Sequence, residues 1–177
     1  MAALLGILPG ICTAQTAVPD AARIVALVRS SPQLLIDTSV PSRAFDPKLH
    51  PFVTVRSAHD GDFVGGFLMS DHARAGMLSN GWGAIAVPLE SEGSGGIFTQ
   101  LIFARTGDRP YAFAGAIGSG GHLDVRIAGG EIVATLPYYG PNDQNCCPSQ
   151  RIVQTFTVSS GRLAKLSEKR FDIRRSE

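Results

Sequence analysis

Glu131-Ile-Val-Ala-Thr-Leu-Pro-Tyr-Tyr-Gly-Pro-Asn-Asp-Gln-Asn-Cys-Cys-Pro-Ser-Gln-Arg-Ile-Val-Gln-Thr-Phe-Thr-Val158 decides the fold. Two runs of alternating character, 131–136 and 151–158, flank a long polar crossing. In the first, Ile132 and Ala134 face opposite to Val133 and Thr135; in the second, Val153, Thr155 and Thr157 oppose Ile152, Gln154, Phe156 and Val158. A period of two belongs to a strand. The second run has one clearly apolar face, as a sheet covered on one side requires.

The same character extends outward from this hairpin. From Trp82 to Leu89, Ile97 to Arg105, Tyr111 to Ile117, His122 to Ala128 and Arg162 to Leu166, apolar, β-branched or aromatic runs alternate with glycine-rich turns. The turns are Glu92-Gly-Ser-Gly-Gly96, Gly107-Asp108, Gly118-Ser-Gly-Gly121, Ala128-Gly-Gly130 and Ser159-Ser-Gly161. Connections this short make successive strands antiparallel. No strand-helix alternation is present, which argues against a parallel sheet.

Further upstream, Phe52 to Arg56 and Phe63 to Leu68 read as short strands around the turn 58–62. Asp71 to Asn80 reads as one or two turns of helix, and Gln33 to Leu49, with Pro41 and Pro47 and no sustained period, as an irregular connection. Ahead of it, Ala21, Ile24, Val25 and Val28 recur at helical spacing, with Asp20 placed to cap the helix and Ser30-Ser31-Pro32 to stop it. The predicted class is therefore α+β and β-rich: an antiparallel meander sheet of about six to eight strands with an N-terminal helix on one face.

The chain has 177 residues, 44% of them hydrophobic and 18% charged, which suits one folded domain rather than a disordered chain. A net charge of +1, from 16 Lys and Arg against 15 Asp and Glu, gives no field that would gather nucleic acid. The basic run Arg162, Lys165, Lys169, Arg170, Arg174 and Arg175 is interspersed with Glu168, Asp172 and Glu177 and reads as a solvated terminus.

Met1 to Ala14 has no charged side chain, an apolar run from Ala2 to Leu8, the helix-breaking Pro9-Gly10, and then small residues with Cys12 and Ala14 at the two positions a signal peptidase inspects. The expectation is a signal peptide over 1–14, a helix and connection over 15–50, and a β-rich part over 51–177, the last two forming one globular unit. No segment has the run of about 18 apolar residues that a spanning helix needs. Export to the periplasm or the medium follows.

Between the two strands of the opening stretch lies the loop with Tyr138, Tyr139, Asn142, Asp143, Asn145, Cys146 and Cys147. It is long for a hairpin, and loops beyond about 12 residues without secondary structure of their own are usually functional or disordered. Pro137, Pro141 and Pro148, the tyrosines and the cysteine pair argue for order. Once Cys12 leaves with the leader, the two remaining cysteines are adjacent, so no intramolecular bridge can staple distant parts of the chain. Across a trans peptide their Cα atoms would be about 3.8 Å apart, below the range of about 4.4–6.8 Å that disulfides favour.

Three readings stay open. The pair shapes a turn, as a strained ring or as buried thiols. Alternatively, the oxidised ring offers an apolar platform to a ligand beside Tyr138 and Tyr139. In the third reading the thiols do redox chemistry or hold a soft metal with His122, although zinc sites draw on four ligands, commonly spaced cysteine pairs with histidines.

This segment, Gly140-Pro-Asn-Asp-Gln-Asn-Cys-Cys-Pro-Ser149, resembles the Cys-Cys-Pro-Ser/Thr segment of the LppP/LprE-like group of exported bacterial proteins. The likeness runs back through Gly93-Ser-Gly-Gly-Ile-Phe98, Leu101-Ile-Phe103 and Gly129-Gly-Glu-Ile-Val133 and forward to Arg162-Leu163, about residues 81–166. The resemblance implies export and a small β-rich domain, and it implies no catalytic residue. The chain departs from the group before Cys12, where the bulky Ile11 stands instead of a lipobox's small residue.

No Gly-x-Ser-x-Gly elbow, phosphate-binding glycine loop or His-Glu-x-x-His is present. Asp60-Gly-Asp62 with Asp71 echoes a calcium loop, but Val64 stands at a ligand position. His59-Asp60 and Asp71-His72 read as exposed turns, and Trp82 as core or sheet edge rather than a ligand shelf. The expectation is a non-enzymatic binding or envelope-interaction module without a cofactor, able to act as a monomer, with an unidentified ligand or envelope protein as partner. The alternative is a thiol-redox or soft-metal-handling envelope protein. Protein recovered from the producing bacterium should begin at Gln15 by intact-mass spectrometry. A chain that keeps Met1 to Ala14, with Cys12 bonded to Cys146 or Cys147, would overturn the leader reading.

Overall fold

A computed structural model of the chain describes residues 17–56, 63–92, 96–119, 121–144 and 147–173. Helix α1 (Ala21–Arg29) begins where the sequence places it, because the Asp20 carboxylate accepts the Arg23 amide at 2.8 Å and satisfies an N-terminal donor the helix itself cannot. It ends at Ser30, whose amide donates back to the Ala26 carbonyl. Ile24 and Val28, one turn apart, are fully buried.

Eleven strands follow among the described residues: β1 (Leu34–Asp37), β2 (Phe52–Arg56), β3 (Phe63–Leu68), β4 (Arg74–Met77), β5 (Trp82–Ser91), β6 (Gly96–Thr106), β7 (Ala112–Gly118), β8 (Asp124–Ala128), β9 (Glu131–Tyr138), β10 (Gln150–Ser159) and β11 (Arg162–Asp172). All pairings between them are antiparallel. A seven-stranded sheet has the order β1-β2-β3-β5-β6-β7, with β4 also beside β5, and a four-stranded sheet has the order β11-β10-β9-β8. The helix covers one face of the larger sheet, as predicted. The smaller sheet covers the other, because the chain changes sheets in the crossing from β7 to β8.

Two sequence expectations are corrected. Within 33–49, Leu34–Asp37 is a strand, set by its pairing of Leu34 with Val55 and Ile36 with Val53; four residues are too few to display a period. Within 71–80, the helical reading gives way to a 3-10 turn at Ser70–His72 followed by β4. Strand β3 reaches β5 only at Phe67↔Glu90 and Leu68↔Leu89, and β4 pairs with the rest of that edge from Arg74↔Ala86 to Met77↔Gly83. Backbone groups along β5 thus find partners that local propensity does not foretell.

The centre of the larger sheet is buried on both faces. Ile85, Val87, Leu89, Leu101 and Phe103 pack with Ile24 and Val28 on the helix side. Ala84, Ala86, Ile102 and Ala104 pack with Ile132, Ala134, Leu136, Phe156 and Val158 on the other. This double burial explains why Trp82 to Leu89 reads as a near-continuous apolar run while β9 alternates cleanly.

Farther out, the connection after β1 is held by Glu92, which accepts from the Ser42 hydroxyl at 2.7 Å and from the Arg43 and Ala44 amides. These hydrogen bonds, the Ser42 bond foremost, hold its carboxyl below the usual range. Phe45 then lies against Phe67, with ring centroids 5.2 Å apart. No helix among the described residues is long and apolar enough to cross a membrane.

The sheets meet closely at both margins. A Cβ on Gly76 of β4 would lie 2.6 Å from Ile127 Cγ2 of β8, and one on Gly115 of β7 would lie 3.0 Å from Leu163 Cβ of β11. Beside the first contact, Arg74 Nη1 donates to Asp124 Oδ1 at 2.9 Å and to the Val125 carbonyl at 2.8 Å. Gly76→Val should therefore lower stability by about 1–3 kcal/mol, the usual range for overpacking, as read from urea denaturation. Ile127→Ala in the same chain should restore part of the loss. An unchanged midpoint for Gly76→Val would show that the margin has slack.

Candidate functional site

The crossing between β9 and β10 is described except at Asn145 and Cys146, which lie outside the described residues. Its organiser is Asp143. One oxygen, Oδ2, accepts from the Gly140 amide at 2.6 Å, the Ser149 amide at 2.8 Å and the Ser149 hydroxyl at 2.8 Å. Hydrogen bonds to an ionised acceptor are stronger than neutral ones, and these three draw the two ends of the loop together. Turns at Asp143 N to Gly140 O, 3.1 Å, and Cys147 N to Gln144 O, 2.9 Å, shorten the path, while Ile173 N donates to Ser149 O at 2.8 Å and ties the end of β11 to the loop. Pro141, Asn142 and Asp143 are residue types that favour such turns.

Strand alternation sends the two tyrosines to opposite sides. Half-buried Tyr138 carries the Arg170 guanidinium 3.7 Å above its ring, within cation-π range. Tyr139 is exposed and lies beside Gly121 in the β7–β8 crossing, where a Cβ would come within 3.5 Å of its hydroxyl. His122, predicted to begin a strand, instead stands in that crossing with its ring against Gly96. The loop, the crossing and the start of β6 therefore gather at one end of the sandwich. Asn142 and Cys147 are exposed there.

The basic run forms strand β11 as far as Asp172, longer than the 162–166 read from the sequence, and most of its residues are exposed, as a solvated run requires. Gln150 Nε2 donates to Asp172 Oδ1 at 2.7 Å, and Glu168 Oε2 accepts from Lys165 Nζ at 3.0 Å and Gln154 Nε2 at 2.9 Å. The Lys165 bond, then the Gln154 bond, lowers the Glu168 pKa. Phe171 and Ile173 remain exposed, with the Arg151 guanidinium 5.7 Å from the Phe171 ring centroid.

Among the described residues, no three His, Cys, Asp or Glu side chains stand together as a metal-ligand set. The calcium-like turn at Asp60-Gly-Asp62 and the His59-Asp60 pair lie outside the described residues. Asp71 and His72 are exposed, Nε2 to Oδ2 3.8 Å, and Trp82 packs against the core between the sheets. Sequence reading overlooked Ser149 as the partner of Asp143 and Arg170 as the partner of Tyr138. The second could not be found without the register that joins β9 and β11 through β10. No protein-family model, no curated protein and no solved structure matches the chain.

Asp143→Ala removes one acceptor and strands three donors. Stability should fall by about 1–3 kcal/mol in urea denaturation, and limited proteolysis should cut within 139–149. Asp143→Asn should lose less, since an amide oxygen still accepts. An alanine variant as stable and as resistant as the wild type would deny Asp143 this role.

Proposed function

We propose that this chain is an exported, non-enzymatic recognition module whose contact surface is the sandwich end bearing the loop 139–149. The observation that carries it is the closure of that loop by Asp143, which leaves Tyr139 exposed and the Tyr138–Arg170 stack at its base. A pre-ordered surface loses less conformational entropy when a partner arrives. Tyrosine and arginine are among the side chains that most often dominate interface energies. Loops displayed on a rigid scaffold are where proteins usually place such contacts.

The compartment rests on the apolar leader Met1 to Ala14, and the likeness to the LppP/LprE-like group accords with it. The second reading, thiol redox or soft-metal handling in the envelope, is favoured by the exposure of Cys147. Thiol counting under non-reducing conditions separates the two. Cysteines with a depressed pKa that react in the folded protein belong to the second, whereas a closed ring, or thiols of ordinary pKa, belong to the first.

A photo-crosslinking residue at position 139, in the bacterium that makes the protein, should capture a defined envelope adduct. Arg170→Ala and Cys146→Ser/Cys147→Ser should each reduce its yield by about tenfold, equivalent to about 1.4 kcal/mol. The same adduct captured equally from exposed Leu49, or a yield that none of these variants changes, would remove the loop from recognition.

A further inference from the structure

A groove of ≈ 860 Å³ runs between α1 and the hairpin of β6 and β7, on the helix side of the larger sheet. Val18, Pro19, Ala26 and Leu27 give it aliphatic walls, and Arg105 and Tyr111 close one side. We propose that this groove binds a fatty-acid-class ligand, with its carboxylate on Arg105 and its alkyl chain along the aliphatic walls. The site is independent of the loop 139–149.

The charge balance selects the head group. Two arginines, Arg23 and Arg105, face one carboxylate, Asp20, which leaves a single net positive charge in the lining. Asp20 stands 3.6 Å from Arg23, so that arginine is already accompanied. Among the described residues Arg105 has no carboxylate partner; its guanidinium lies 4.9 Å from the Tyr111 ring centroid. A monoanion completes this set, while a dianion would meet Asp20.

The phenol beside Arg105 supplies an independent sign. The Tyr111 hydroxyl is buried and finds no acceptor for its hydrogen, while the Arg105 guanidinium beside it acts on its oxygen as a donor. Leaving such a donor unsatisfied is costly, and the structures in which it happens usually have a reason. Arginine carries donors only, so Arg105 cannot accept the phenolic hydrogen. A carboxylate can accept from both groups once the guanidinium swings from the ring. A phenol keeps its proton at neutral pH, and burial raises the Tyr111 pKa further against the lowering by Arg105.

The walls select the tail. Among the described lining residues, Val18, Pro19, Ala26 and Leu27 on the helix side are aliphatic. The volume falls in the range of small-molecule sites, about 300–1,000 Å³. Aliphatic side chains beside a solitary cation match an alkyl carboxylate.

Calorimetric titration of the full chain with decanoate and dodecanoate, below their micelle concentrations, tests this. One saturable site is expected, tightening by about fourfold per methylene at full burial and by less where the groove stays open. Arg105→Gln should weaken dodecanoate binding at least tenfold. Tyr111→Phe should weaken it several-fold without lowering the thermal midpoint, because it deletes an unsatisfied group. Dodecanol should bind at least tenfold more weakly than dodecanoate. Absence of saturable binding overturns the proposal. So does equal affinity for the alcohol, or an Arg105→Gln chain that binds as the wild type does. None of these outcomes bears on crosslinking from position 139.

Discussion

The long antiparallel pairing of β5 with β6, from Trp82↔Thr106 to Ser91↔Gly96, is the constraint on which everything else hangs. Both strands are buried on both faces at their centres, so their backbone groups can be satisfied only within the sheet. That ladder fixes a two-sided apolar slab. The helix seals one side, the four-stranded sheet seals the other, and β3 and β4 share the remaining edge of β5. Neither core would exist without the slab, and the slab would be exposed to water without both covers.

The parts legible in the sequence are those governed by local chemistry. Glycine turns and alternation located β5 to β11, and the Asp20 cap located the helix. What stayed hidden depends on partners far along the chain. Leu34–Asp37 is a strand because Val53 and Val55 lie opposite, and Arg74–Met77 is one because half of an edge stands open. The division into two sheets was equally invisible, since a Gly118-Ser-Gly-Gly121 turn looks the same whether the next strand returns to the same sheet or crosses to another. Register shifts in β5–β6, β6–β7 and β10–β11 add offsets that no periodicity reports.

The candidate site was half legible. Length singled the loop out, and its prolines, tyrosines and cysteine pair argued for order. The described geometry instead gives the organising role to Asp143, whose partners Gly140 and Ser149 are brought together only when β9 and β10 pair. The Arg105–Tyr111 groove left no local signature at all. Its walls come from a helix and a hairpin separated by most of the larger sheet in sequence.

Strand β11 forms an outer border of the smaller sheet and is paired only through β10. Eleven residues of border could template the addition of a strand from a second molecule. Lys169 and Arg170 sit on it beside exposed Leu166 and Phe171, and with Arg162 and Lys165 they outnumber Glu168 and Asp172, so two such borders carry the same net sign. Such repulsion opposes the pairing of two identical borders at low ionic strength. Concentrated salt shortens its reach to a few ångströms and leaves the apolar side chains to govern self-association.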